Sequence, residues 1–125
     1  MTFAYDAGLL TAADRNDRVA WATHRTRLEG GELPIVTAPV VAQVTRTGHQ
    51  VQLRRFLEGC QIEAFSPDQA HVVGALLGRA GTADVVDAHL MVVAAANAST
   101  VLTTELDDLR ALASHVTPTV VVQSI

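Results

Sequence analysis

The run from Val85 to Ala98 constrains this chain more than any other stretch. It is the longest apolar segment, yet Asp87, His89 and Asn97 interrupt it, so a membrane span is not expected. Read as a helix, it places Asp84 and Asp87 three residues apart on one face at its N-terminal end, with Thr82 as the cap. A chain of 125 residues, 49% hydrophobic and 18% charged, fits one domain spanning residues 1–125 and can bury such a helix in a real core.

Around that run, short β-prone segments alternate with helical ones. Thr2 to Tyr5 reads as a strand ending at Asp6, with Ala7 to Leu10 turning into a short helix. Asp14 to Glu29 reads as a helix stopped by Gly30-Gly31, and Leu33 to Val36 as a second strand. Thr37 caps a helix that begins near Pro39, carries Gln43 among valines and ends near Gly48. A helix over Gln50 to Glu58 follows, then a strand over Gln61 to Phe65 near a sheet edge. Ser66-Pro67-Asp68-Gln69 starts the next helix with the pattern of a capping box, and Gly81 stops it. Thr100 to Thr103 is a strand, Leu109, Leu112 and Ala113 belong to a last helix, and Thr119 to Val122 forms a final strand. The alternation predicts a parallel α/β sandwich.

In such a sheet, residues just after strand C-termini share one edge, where ligands bind. Asp6 and Glu105 hold those places, with Asp107 and Asp108 close behind. If the N-terminus of the 82–98 helix points to the same edge, Asp84 and Asp87 join them. Oxygen ligands without cysteine partners or clustered histidines select a hard cation, Mg²⁺ or Mn²⁺. Such ions support phosphodiester hydrolysis. Each acid also has a structural reading on its own: Asp6 in a turn, Asp84 and Asp87 at a helix N-terminus, Asp107-Asp108 as capping residues.

The remaining composition narrows the classes. The net charge of −4 argues against a wholly basic nucleic-acid-binding surface. All nine cationic side chains are arginine, and the absence of lysine removes a two-component receiver domain, which needs one at its active site. Arg15, Arg18, Arg25, Arg27, Arg46, Arg54 and Arg55 are grouped as candidates for an RNA path. Trp21 and Met91 read as packing residues and Cys60 as a small buried hydrophobe; His89 points away from the acid face. One cysteine excludes a disulfide framework, and no secretory signal is visible at the N-terminus, so a cytoplasmic location is expected.

Four segments together resemble a known family. These are Asp6 with Ala7-Gly8-Leu9-Leu10, Ala38-Pro39-Val40-Val41-Ala42-Gln43-Val44, Asp84-Val85-Val86-Asp87-Ala88, and Val101 through Leu109. In this order they resemble PIN-domain ribonucleases of the VapC toxin type. The resemblance implies a three-layer sandwich with a central parallel sheet flanked by helices. It implies a divalent-metal-dependent endoribonuclease, the toxin of a toxin–antitoxin pair. By position, Asp6, Asp84, Asp87 and Glu105 become catalytic residues and Mg²⁺ or Mn²⁺ ligands, and Asp107 a further ligand. Gln43 stands where the family presents glutamate, and Glu105 where it presents aspartate. Gln43 is therefore assigned to orienting water or ligand. RNA as substrate, a small antitoxin partner and a homodimer are also implied. The alternatives are a PIN-fold binding module with weak or lost nuclease activity, and a nuclease acting on DNA.

Overall fold

The computed structural model describes residues 2–125. Five strands form one all-parallel sheet in the order β3-β2-β1-β4-β5. They are β1 (Thr2–Tyr5), β2 (Ile35–Thr37), β3 (Gln61–Glu63), β4 (Ser99–Thr103) and β5 (Val122–Ser124). Seven helices flank it: α1 (Ala7–Asp14), α2 (Arg18–Glu29), α3 (Ala38–Val44), α4 (Val51–Glu58), α5 (Pro67–Ala80), α6 (Val85–Ala96) and α7 (Leu106–Ala113). The expected α/β sandwich is therefore the observed one.

Strand alternation divides the core into two layers. Phe3, Tyr5, Val36 and Leu102 point to one face, where Leu9, Leu10, Val40, Leu53 and Phe56 of α1, α3 and α4 cover them. Ala4, Ile35, Val101 and Val122 point to the other, against Leu76 of α5, Leu90 and Met91 of α6, and Leu109 of α7. Each fully buried side chain of Leu or Phe size contributes about 1.5–3 kcal/mol to stability. Two such layers give the sheet an apolar cover on both sides, which an all-parallel sheet requires. β4 is buried along its whole length, as a strand between two others must be.

Several boundaries differ from the sequence reading. The short helix after Asp6 runs on to Asp14, and the helix expected from Asp14 begins only at Arg18: Asn16 takes a left-handed φ of 59°, and Asp17 caps α2 by accepting from the Ala20 amide at 2.9 Å. Asn and Asp tolerate that conformation because the short amide or carboxylate bonds locally. The cap of α6 is Asp84, which accepts from the Asp87 amide at 3.0 Å, and not Thr82. α3 ends at Val44, short of Gly48. The last strand begins at Val122, so the β-branched run of residues 119–121 lies before the ladder; β propensity reports side-chain fit and does not locate pairing. The capping box of Ser66 and Gln69 and the Gly81 stop, with φ 71°, form as expected, and β3 is an edge strand. Among the described residues, no helix is long and apolar enough to cross a membrane.

A candidate active site at the sheet switch point

The chain lays down β1, β2 and β3 outward to one side, then returns to place β4 against the free side of β1. β1 and β4 are thus the adjacent strands between which the winding reverses, and the crevice beyond their C-terminal ends is where open α/β sheets bind ligands. Tyr5 pairs with Leu102 in register, so Asp6 and the Thr103–Glu105 segment leave the sheet side by side.

Asp6 is almost fully buried and is held at both carboxylate oxygens. Its Oδ1 accepts the Leu9 amide at 2.9 Å, capping α1, and its Oδ2 accepts the hydroxyl of Thr103. The same hydroxyl oxygen accepts the Glu105 amide at 2.7 Å. Thr103, completely buried at the end of β4, therefore ties the Asp6 carboxylate to the loop that launches Glu105. Burial raises the Asp6 pKa, and these two donors work against that rise by favouring the charged form. The sequence reading treated Thr103 only as part of a strand; a hydroxyl ending a β-prone run just before an acid was the available signal.

Asp84 and Asp87 come to the same crevice from the start of α6. They do not share a helical face as two helix residues would: Asp84 sits outside the helix in extended conformation. One of its oxygens caps α6. Asp87, half-buried in the first turn, has its carboxyl pushed up to about 7. Burial is the largest cause, followed by Asp84, then Asp6 and Asp108. Like charges gathered in a low-dielectric crevice oppose ionisation, and a bound cation would relieve them.

These residues line one cleft of about 330 Å³, together with Gly8, Gln43, Arg46, Glu105, Asp108 and Leu109. Gly8 makes room there, since a Cβ at that position would overlap the Thr104 hydroxyl. Gln43, near the C-terminal end of α3, does project to the cleft. Asp107 does not line it, and Asp108 does. Glu105, Asp108, Leu109 and Leu112 repeat at helical spacing on one face of α7, and Asp107 is rotated by about 100° from Asp108. Of the two acids, it is Asp108 and not Asp107 that reaches the cleft. Among the described residues, no three His, Cys, Asp or Glu side chains already stand close enough to hold a metal ion. The donor set is nonetheless all oxygen, negatively charged and mutually repulsive, which fits Mg²⁺ or Mn²⁺ and does not fit a soft ion.

The arginines divide by position. Arg46 lines the acidic cleft, on a loop organised by Gln50, whose Oε1 accepts the Arg46 and Thr47 amides at 2.6 and 3.0 Å. Gln50 also donates to Asp14 at 2.9 Å and to the Val44 carbonyl at 3.0 Å, a bracing role the sequence did not announce. Arg18 and Arg25 line a separate hollow of about 330 Å³ on α2, beside Trp21. Arg15, in the turn after α1, and Arg54 and Arg55, on α4, are exposed elsewhere. Arg27 is committed elsewhere: its guanidinium carbon lies 4.3 Å from the Phe3 ring centroid, and its Nε is buried. His89 is buried, stacked on Phe65 at 4.2 Å, with Nε2 2.8 Å from Gln69 Oε1, a packing role as expected.

Solved structures share this fold. VapBC2 from Rickettsia felis, bound to a DNA fragment from their promoter, superposes with a TM-score of 0.71 at 16% identity, covering 100% of this chain and 99% of that one. The chain has a VapC-like PIN-domain fold. PAE2754 from Pyrobaculum aerophilum aligns with a TM-score of 0.63 at 13% identity, covering 96% of this chain and 83% of that one. No family model matches the sequence, and comparison with curated proteins gives no match. At these identities the likeness concerns the PIN-domain fold alone; the acid-lined crevice stands on its own geometry.

Proposed function

We propose that the protein is a divalent-metal-dependent endoribonuclease, hydrolysing RNA phosphodiester bonds as the toxin of a toxin–antitoxin pair. The observation that carries this reading is the meeting of Asp6, Asp84, Asp87 and Glu105 at the switch point between β1 and β4, with Asp87 pushed up to about 7 by burial and then by its acidic neighbours. Asp6, Asp84, Asp87 and Glu105 would hold Mg²⁺ or Mn²⁺. Such an ion supplies a polarised water and neutralises charge on the phosphate. Thr103 and the Leu9 amide fix the Asp6 carboxylate, so its oxygens need no reorganisation when ligand arrives. Arg46, at the rim of the cleft, contacts the RNA backbone; Arg18 and Arg25 extend the path.

The reading extends to partners. The likeness to VapBC2 supports a small antitoxin partner; that it covers the acidic crevice, that the chain pairs as a homodimer and that it acts in the cytoplasm are parts of the same proposal. The test uses purified protein, structured RNA and Mg²⁺ or Mn²⁺, compared with EDTA and with Asp87→Asn. Cleavage lost in both controls is the expected result, and cleavage that survives both removes the metal-carboxylate mechanism.

A second reading, a PIN-fold binding module with weak nuclease activity, rests on Gln43, which brings an uncharged amide to the cleft. It is favoured if neither cleavage nor Mn²⁺ binding is detected. Gln43→Glu adds a carboxylate at that wall and is expected to tighten Mn²⁺ binding several-fold. An unchanged affinity places Gln43 outside the ion's reach.

A further inference from the structure

A second cavity, of about 380 Å³, opens on the far side of the acids. It shares Asp84, Asp87 and Asp108 with the cleft, and then departs from it in character. Ala80 at the end of α5 and Ala111 and Leu112 on α7 give it apolar walls, and His115 stands at its margin. Its volume lies within the range of about 300–1,000 Å³ that holds small organic groups. No arginine lines it. Arg79, on α5, spends a guanidinium N–H on the His115 carbonyl at 3.2 Å. A phosphate is therefore disfavoured at the end away from these acids, where Ala80, Ala111 and Leu112 form the wall and no arginine offsets its charge. A flat, neutral group with an apolar face and hydrogen-bond donors on its edge is favoured.

We propose that this cavity is a nucleobase subsite, receiving the unpaired base next to the scissile phosphate. The proposal rests on the nuclease reading, because continuity with the acidic cleft is what places a nucleotide there. The base lies against Ala111 and Leu112 and stacks on His115, as single-stranded RNA bases stack on aromatic side chains. Its edge meets Asp108, a pure acceptor when ionised. Cytosine, adenine and guanine present exocyclic amino donors to such an acceptor, whereas uracil has no amino group and offers only a ring N–H set between two carbonyl oxygens that the carboxylate repels. The subsite therefore selects against uracil at one position beside the cut.

The test is a single-stranded RNA pool randomised over several positions, digested in Mn²⁺ and read by sequencing of the cut ends. The wild type is expected to deplete uracil roughly tenfold at one position flanking the cut. Ala111→Trp, which fills the cavity from an exposed helical position, and His115→Ala, which removes the stacking ring, should each flatten that preference several-fold. Thermal melts confirm that both variants fold. A wild type that cuts without base preference overturns the proposal, as does a preference unchanged in both folded variants. If the wild type cuts no RNA in either metal, the nuclease reading fails and the subsite is judged by binding alone. Cytidine and uridine are then titrated while the Ala80 and Ala111 methyl resonances are followed by NMR. Shifts with cytidine and not with uridine sustain the subsite; no shift with cytidine removes it.

Discussion

Among single residues, Thr103 has the largest structural consequence for its size. One hydroxyl donates to the Asp6 carboxylate and accepts the Glu105 amide, so two strand ends and two acids depend on it. Thr103→Val keeps the shape and removes both bonds, leaving a buried carboxylate oxygen and an amide short of partners. A loss of about 1–3 kcal/mol is expected in denaturant unfolding, together with a fall in any RNA cleavage; Thr103→Ser should recover most of both. If Val is tolerated without loss of stability, the tie between the strands is not a stabilising one. Asp87 gives the second expectation. Unfolded, an aspartate ionises near pH 4; here it keeps its proton up to about 7. Between those values the native state binds the additional proton, so this contribution to stability is complete below about pH 4 and is lost as pH rises through 7. Asp6, also raised, acts in the same direction. In EDTA, the melting temperature of the wild type relative to Asp87→Asn should therefore decline from pH 5 to pH 8. A constant difference across that range would mean that Asp87 is not perturbed by its neighbours. The sequence disclosed which acids follow strands and head a helix. It did not disclose which α7 acid faces the cleft, because Asp107 and Asp108 differ only in helical phase, and phase depends on where the helix begins.

The helices show how an apolar pattern can locate an element without fixing its ends. α2 and α4 close over Tyr5 through a stack of rings: His24 on Phe56 at 4.0 Å, Trp21 edge-on to Phe56 at 5.1 Å, and the Tyr5 hydroxyl 3.0 Å from His24 Nδ1. Gly59, at the C-terminus of α4, lies against that stack. A Cβ there would stand 2.9 Å from His24 Nε2 and 3.1 Å from Leu28 Cδ1. Replacing glycine by alanine usually stabilises by about 0.4–1 kcal/mol where the backbone permits, through the unfolded chain. Here His24 is buried, stacked and hydrogen-bonded, so it has nowhere to move, and overpacking costs about 1–3 kcal/mol. Gly59→Ala is accordingly expected to lower stability by about 1 kcal/mol or more, measured by urea unfolding; a more stable variant would show that the α2–α4 seam is loosely packed. In sequence, Gly59 read as a helix stop, which it is. Its contact with a residue 35 positions earlier is a tertiary fact that local pattern does not carry. The break between α1 and α2 was expected, but too early, for a related reason: Asp14 and Asp17 are both able to cap, and only the chain's turn at Asn16 selects the second.

For the whole molecule, the sheet order is the decisive fact. A crossover that returns β4 to the side of β1 brings together acids nearly a hundred residues apart, and the alternation of strands and helices made that architecture readable while leaving strand order open. The same order makes the acidic crevice a seam between the two halves of the winding: Asp6 belongs to the first, Asp84, Asp87 and Glu105 to the return. An ion held across it would couple folding to binding, because the unfolded chain does not gather these carboxylates. Stabilisation then follows the ratio of free ion to dissociation constant, about 2.7 kcal/mol at a hundredfold excess. Mn²⁺ is therefore expected to raise the melting temperature in a concentration-dependent way, and to slow amide exchange in β1 and β4 together. Asp6→Asn and Asp87→Asn should each abolish most of that rise, although Asp87→Asn itself relieves repulsion and should melt higher than the wild type in EDTA. That opposition of signs separates a metal seam from a merely structural acid: a structural role would lower the melting temperature in both conditions. Melting curves that ignore Mn²⁺ in the wild type would deny the seam a cation.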